Sequence, residues 1–275
     1  MRRLKAKMTL YETVKELKRA GISNPLYEAR ELMKHFGGYQ SHEVMWPSVE
    51  CSTPEFLAAV EARANHTPLQ YLIGEVMFYR ETYKVTPDCL IPRSDTEILV
   101  DYAVKNLPCG ARFLDLCTGS GCVAISTLAN TKETTAVAVD ISAAALKIAE
   151  ENGRINEVSD RLTLLECDLL KDKVEGEFYA VLSNPPYVAD SVYESLAPEI
   201  AFEPKGAFVG GEDGGDFYRR MTPIYKNSIA PEGFIAYEIG YDQAELLCSI
   251  AKECGMKCEI LKDLSGNNRV AILKK

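Results

Sequence analysis

Residues 113–124 read FLDLCTGSGCVA: an apolar run, a glycine-rich turn, then small and apolar residues again. The run suits a buried strand. Gly119 and Gly121 let a tight turn bring backbone N–H groups up to a ligand at the N-terminus of the helix that follows. Gly119-x-Gly121-x-x-Ala124 also satisfies the dinucleotide fingerprint, with alanine in third place. A glycine turn alone makes a nucleotide-type ligand a candidate and no more, so its surroundings decide the fold.

Downstream, strands and helical patterns alternate from residue 96 onward. Candidate strands are 113–117, 136–140, 162–167, 179–183, 234–239, 258–261 and 269–273, with helical stretches such as ISAAALKIAEENGRIN between most of them. Alternation of this kind predicts an α/β fold with a mostly parallel sheet covered on both faces. In such sheets ligands sit beyond the carboxyl ends of the strands, near a reversal of strand order.

Upstream, residues 1–73 read as a small helical bundle. In TLYETVKELKRAG, Leu10, Val14 and Leu17 share a face and Gly21 supplies a stop. In SNPLYEARELMKHFGG, Asn24 is the expected cap and Pro25 the first helical residue, with Leu26, Ala29, Leu32, Met33 and Phe36 as the apolar stripe. A third helix is expected at STPEFLAAVEARAN, where Ser52 and Glu55 have capping-box spacing. Val76, Phe78, Tyr83 and Val85 suggest a hairpin, so residues 74–95 are expected to link the bundle to a catalytic domain over 96–275.

Composition narrows the partners. The 275-residue chain carries a formal net charge of −9, against the basic face that proteins holding duplex nucleic acid use to release counterions. Its basic clusters (Arg2, Arg3, Lys5, Lys7; Lys15, Lys18, Arg19) read as a solvated helix face. Nine cysteines at irregular spacing, without a CxxC, read as small buried thiols, and no metal site is expected. No apolar run approaches a membrane span and the start lacks a secretory stretch, so a cytoplasmic monomer is expected.

The strand ends carry the chemistry. VAVDIS places Asp140 where a carboxylate can accept hydrogen bonds from a ribose diol, and Asp168 in LLECDLL could meet an adenine amino group. These features suit an adenosine cofactor, and both NAD and S-adenosylmethionine want them. The fourth strand end, VLSNPPYVAD (181–190), separates the two.

A planar nitrogen is a poor nucleophile because its lone pair is delocalised. Asn184 offers a side-chain carbonyl and Pro185 a backbone carbonyl, two acceptors that can orient such a nitrogen and stabilise its developing positive charge. Pro185 keeps Asn184 out of the α region, and Pro186 does the same for Pro185, so both acceptors are preorganised. Tyr187 adds a flat wall. In-line methyl transfer then depends on alignment, worth about 7–11 kcal/mol in favourable cases. His35, His42 and His66 all lie in the N-terminal third, so no base is evident at the strand ends. An adenine-N6-type nucleic-acid amino-methyltransferase could use the same four residues. An NAD-dependent oxidoreductase would leave them unexplained, and a non-catalytic binding module would not need Asn184.

DLCTGSG, VDIS and NPPY stand in order with PLQYLIGEVMFYRETYKVTPDCLIPRSDTEILV, LAPEIAFEPKGAFVGGEDGGDFYRR, PEGFIAYEIGYDQAE and KDLSGNNRVAIL. Over nearly its whole length the chain thus resembles the release-factor glutamine methyltransferases, the PrmC/HemK family. The resemblance implies a Rossmann-like class I S-adenosylmethionine-dependent methyltransferase domain with a seven-stranded sheet, preceded by a helical domain that grips the substrate. It implies methyl transfer to the side-chain amide nitrogen of the glutamine in the GGQ motif of peptide-chain release factors, which modulates translation termination, with no direct nucleic-acid substrate. Carried over by position, Cys117, Thr118, Gly119, Ser120, Gly121, Asp140, Asp168, Leu169 and Asn184 would contact the cofactor, while Asn184, Pro185, Pro186 and Tyr187 would shape the glutamine pocket. The family commonly reads IPRPET where this chain has IPRSDT, with Ser94 and Asp95 substituted. It commonly has glycine at Cys117, a replacement that costs little unless the position needs positive φ.

Overall fold

The computed structural model describes residues 7–275 and divides into two units. The first comprises the described residues up to Gly74 together with Ala197–Phe202, the second Glu75–Leu196 with Glu203–Lys275. Arg2, Arg3 and Lys5 lie outside the described residues.

In the smaller unit a two-residue strand β1 (Met8–Thr9) pairs antiparallel with β2 (Glu50–Cys51), and four helices follow the expected order: α1 (Leu10–Arg19), α2 (Pro25–Gly37), α3 (Pro54–Ala64) and α4 (Leu69–Ile73). Thr9 starts α1 through a capping box, its hydroxyl accepting from the Glu12 N–H at 3.1 Å while the Glu12 carboxylate accepts from the Thr9 N–H at 3.0 Å. Leu17, Ala29, Leu32, Met33, Phe56 and Val60 form the core.

Two local expectations need correction. Thr53, not Ser52, caps α3, its hydroxyl accepting from the Phe56 N–H at 3.3 Å. Pro54 takes the first helical position, which moves the cap to its immediate predecessor. Leu26 does not join the apolar stripe of α2 but is exposed, whereas Glu28 is buried. Glu28 can be buried because Arg63 of α3 meets it with two N–H groups, Nη2 to Oε1 at 3.2 Å and Nε to Oε2. The same Arg63 Nη2 also donates to Glu199 Oε1 at 3.2 Å, drawing on the distant segment 197–202.

In the larger unit β3 (Glu75–Phe78) and β4 (Glu81–Lys84) form the hairpin. It packs within this unit: Tyr83 is fully buried, its hydroxyl 2.6 Å from Ser126 Oγ on α6 (Cys122–Ala129). After α5 (Glu97–Asn106) come β5 (Arg112–Leu116), α6, β6 (Thr135–Asp140), α7 (Ala143–Ile155), β7 (Leu162–Glu166), β8 (Phe178–Ser183), the short α8 (Asp190–Tyr193), α9 (Asp216–Tyr225), β9 (Ile229–Glu238), α10 (Ala244–Glu253), β10 (Lys257–Lys262) and β11 (Asn268–Lys274).

The seven strands from β5 on form one sheet in the order β10-β11-β9-β8-β5-β6-β7. All neighbours from β9 to β7 run parallel, and only β11 is antiparallel to its partners. Side chains alternate along each strand, as a sheet covered on both faces requires. Leu114, Leu116, Val137, Val139, Val181 and Ile235 pack with Tyr218 and Met221 of α9 and Leu247 of α10. Phe113, Ala136, Ala138, Ala180 and Leu182 pack on the other face with Leu99 of α5 and with α6. The chain runs outward from β5 through β6 to β7, then returns to β8 on the opposite side of β5. Strand order therefore reverses between β5 and β8, where the glycine turn and NPPY both emerge.

Candidate active site

The turn after β5 is closed by its own backbone, the Gly121 N–H donating to Thr118 O at 2.9 Å. Cys117 adopts φ 60°, the left-handed conformation in which a side chain costs about 1–2 kcal/mol. The glycine that commonly stands there in the resembling family would avoid that strain. Asp115 lies beneath the turn. Its Oδ2 accepts from the Thr118 hydroxyl at 2.6 Å and from the Ala124 N–H at 3.2 Å, while its Oδ1 is buried without a partner. Burial pushes its carboxyl up to about 7. Ser120 Oγ is likewise buried and unpartnered. Asn152 of α7 braces the turn from behind, donating to Ser120 O at 2.9 Å and to Lys84 O of the hairpin at 3.0 Å.

Asp140, at the end of β6, meets this turn. Its Oδ2 accepts from the Gly119 N–H at 2.8 Å and its Oδ1 from the Ser142 N–H at 2.9 Å; Ser142 in turn caps α7. Burial raises the Asp140 carboxyl. Asp168, beyond β7, is held differently: Lys171 pairs with it at 2.7 Å and lowers its carboxyl. Leu169 beside it is buried among Leu114, Leu116, Val137 and Val139.

NPPY leaves β8 next to the turn. Pro185 and Pro186 are buried, while Asn184 and Tyr187 are half-buried. Asn184 Nδ2 donates to Thr96 Oγ1 at 3.1 Å, the Thr96 hydroxyl donates to Glu238 Oε2 at 2.5 Å, and the Tyr187 hydroxyl donates to Glu238 Oε1 at 3.2 Å. One buried carboxylate thus joins both polar members of NPPY. Burial pushes that Glu238 carboxyl up to about 7.

Thr96 is delivered by the IPRSDT segment, which is latched on both sides. The Ile91 N–H donates to Glu203 Oε2 at 3.0 Å and Arg93 pairs with the same carboxylate, while the substituted Asp95 lies 3.3 Å from Arg269 Nη2. The shorter stem of Asp95 still reaches a cation.

The GGEDGG loop supports NPPY from outside the sheet. Val188 and Val209 form a parallel bridge, and Gln243 Nε2 donates to the Tyr187 carbonyl at 2.9 Å. Gly214, at φ +75°, lies so close that a Cβ there would sit 2.1 Å from the Tyr187 carbonyl oxygen. Gly214→Ala should therefore cost about 3 kcal/mol, from left-handed strain plus overpacking. Thermal unfolding checks this: an unchanged melting temperature would show that the loop yields instead.

The structure thus brings Cys117 to Gly121, Asp140 and Asn184 to Tyr187 to adjacent strand ends, with Asp168 on the outer loop. Sequence reasoning missed Asp115, Thr96, Glu238 and Gln243. A charge inside an otherwise apolar strand was the one available signal for Asp115. The other three lay inside quoted blocks without any local sign of their role.

Comparison with known proteins agrees with this architecture. Residues 9–74 match the family described as PrmC N-terminal domain, and residues 94–203 match the methyltransferase small domain. A release factor glutamine methyltransferase of Thermodesulfovibrio yellowstonii is 36% identical over 257 residues, covering 90% of this chain and 92% of that one. One from Moorella thermoacetica is 34% identical over 271 residues, covering 96% of each. Among solved structures, the ribosomal protein L11 methylase of Lactobacillus delbrueckii subsp. bulgaricus shares the fold at 18% identity, with a TM-score of 0.51 over 70% of this chain and 83% of that one. The chain belongs to the release factor glutamine methyltransferase family.

Proposed function

We propose that this protein transfers a methyl group from S-adenosylmethionine to the side-chain amide nitrogen of the GGQ glutamine in peptide-chain release factors. The observation that carries the reading is the placement of Asn184. Its NH₂ group is taken up by Thr96, and among the described residues no donor reaches its Oδ1, so an acceptor remains for an amide hydrogen at the strand-order reversal.

The residues present fit the cofactor. The unpartnered buried oxygens of Asp115 and Ser120 suit a ligand bringing donors of its own, such as an ammonium or hydroxyls. Each Asp140 carboxylate oxygen has a further lone pair beyond the backbone bond it accepts. Cys117 to Gly121, Asp140 and Asn184 would hold S-adenosylmethionine, with Asp168 and Leu169 at the outer edge. When bound, it supplies a methyl group activated by a sulfonium.

The chain's own contribution is orientation. Asn184 Oδ1 and the Pro185 carbonyl hold the two amide hydrogens, and Tyr187 flanks the planar group, with its ring fixed by Glu238 at one end and its carbonyl by Gln243 at the other. The smaller unit would grip the release factor. Tyr11, Met45 and Trp46 are exposed there, residue types that anchor protein interfaces. No described helix is long and apolar enough to cross a membrane, and a cytoplasmic monomer fits a substrate of the translation machinery.

Labelled S-adenosylmethionine tests the reading, offered with a release factor, with the same factor changed at the GGQ glutamine, and with DNA and RNA. Label is expected on the intact factor alone. Label on nucleic acid instead would overturn the assignment in favour of an amino-methyltransferase of bases.

A further inference from the structure

We infer that Glu238, acting through the Thr96 hydroxyl, is a positioning residue that fixes which end of the Asn184 amide faces the substrate. The inference rests on the acceptor role proposed above for Asn184 and supplies its cause. An asparagine side chain is nearly symmetric in shape, yet its two ends are chemical opposites: one accepts and the other donates twice. Only the accepting end can hold a substrate amide hydrogen. Something must choose.

The choice follows from proton counting. Thr96 is buried and carries one hydroxyl proton. An ionised Glu238 can only accept, so that proton goes to Glu238 Oε2, 2.5 Å away. Thr96 Oγ1 is then left with lone pairs alone, and the Asn184 end facing it at 3.1 Å has to be the NH₂. Oδ1 is thereby presented to the substrate. A protonated Glu238 has a proton of its own to give. Thr96 could accept that proton and turn its own toward Asn184, allowing the amide to rotate and to present N–H groups where the substrate also offers N–H groups.

The surroundings set how close these two states lie. Glu238 is buried and accepts at Oε1 from Tyr187, which favours the ionised form. Arg269 also favours it, although Arg269 is shared with Asp95 at 3.3 Å and Asp263 at 3.2 Å. Asp95 and desolvation oppose it. Tyr218 donates to the Glu238 backbone carbonyl at 2.8 Å and leaves the carboxylate alone. Burial leaves the balance near neutrality, at about 7.

The test uses the full chain and two readouts. The first needs no substrate: the Asn184 side-chain amide resonances, identified by their loss in Asn184→Ala, are followed by NMR from about pH 8.5 to about pH 5.5. They are expected to shift with a midpoint near about 7 in the native protein and to lose that midpoint in Glu238→Gln. The second is turnover on a release factor. Thr96→Val should lower kcat about tenfold or more while the S-adenosylmethionine dissociation constant stays within about twofold, and Thr96→Ser should recover most of the loss. Turnover of the native protein should fall as pH drops through the Glu238 range, and Glu238→Gln should flatten that limb.

Amide resonances indifferent to pH overturn the inference. So does a midpoint that persists in Glu238→Gln, which would assign the titration to Asp115. Equal losses of turnover and cofactor affinity in Thr96→Val would reduce Thr96 to a structural prop. A release factor left unlabelled beside an intact amide titration would overturn the substrate reading while supporting the positioning role; the reverse pattern would do the opposite.

Discussion

Asn184→Ala is expected to lower turnover by about 100- to 1,000-fold at saturating cofactor, the range seen when one preorganised partner of a developing charge is removed. Loss of the methyl donor is expected to account for little of this. The glycine turn, Asp140 and the buried oxygens of Asp115 and Ser120 all remain in Asn184→Ala, and none depends on the Asn184 side chain for its position. What disappears is the acceptor that holds one amide hydrogen. The nitrogen then gains positive charge with one partner instead of two. Calorimetric titration of S-adenosylmethionine against single-turnover kinetics separates the terms. Parallel losses in both would mean that Asn184 serves mainly the cofactor, and the acceptor role would have to be abandoned.

Arg63→Met carries the largest expected effect on stability, about 3–5 kcal/mol in the smaller unit. The guanidinium is 6% exposed and serves two carboxylates, Glu28 at 11% and Glu199 at 30% side-chain exposure. Replacing it with a thioether of similar length leaves Glu28 charged, desolvated and alone. Hydrogen exchange of the α1, α2 and α3 amides is the suitable measure, because it reports this unit separately from the sheet. The double replacement Glu28→Met with Arg63→Met removes the stranded charge and should recover most of the loss, as buried pairs exchanged for apolar side chains commonly do. Protection in Arg63→Met equal to that of the native protein would show that water reaches the pair.

Most of the scaffold was readable from local pattern. Each of the seven candidate strands between 113 and 273 became a strand, with ends shifted by a few residues; the central β5, β6 and β8 are buried on both faces and therefore apolar at nearly successive positions. The strand ends of the candidate site were equally visible, since glycines and paired prolines mark backbone geometry directly. The relay behind them was not. Thr96 lies 88 residues from Asn184 and 142 from Glu238, so no periodicity connects them, and Glu238 in isolation resembles any acidic residue at a strand end. Glu28 was passed over for a related reason. A glutamate on a helix is ordinarily solvated, and only the arrival of Arg63 from another helix makes its burial tolerable. Cys117 shows a different limit: the replacement of a glycine is visible in sequence, but the positive φ it has to bear is not.

The return of residues 197–202 to the smaller unit bears on how this protein can be recombined. A chimera joined at Gly74 would inherit Arg63 from one parent and Glu199 from the other, together with whatever mismatch the parents had accumulated. The helical part is therefore not a cassette that can be exchanged as one continuous stretch. A swap that keeps the buried charges balanced needs three crossovers, after Gly74, before Ala197 and after Phe202. Substitutions at positions 28, 63 and 199 would be inherited as a set, linking the helical unit to a short segment encoded inside the larger one.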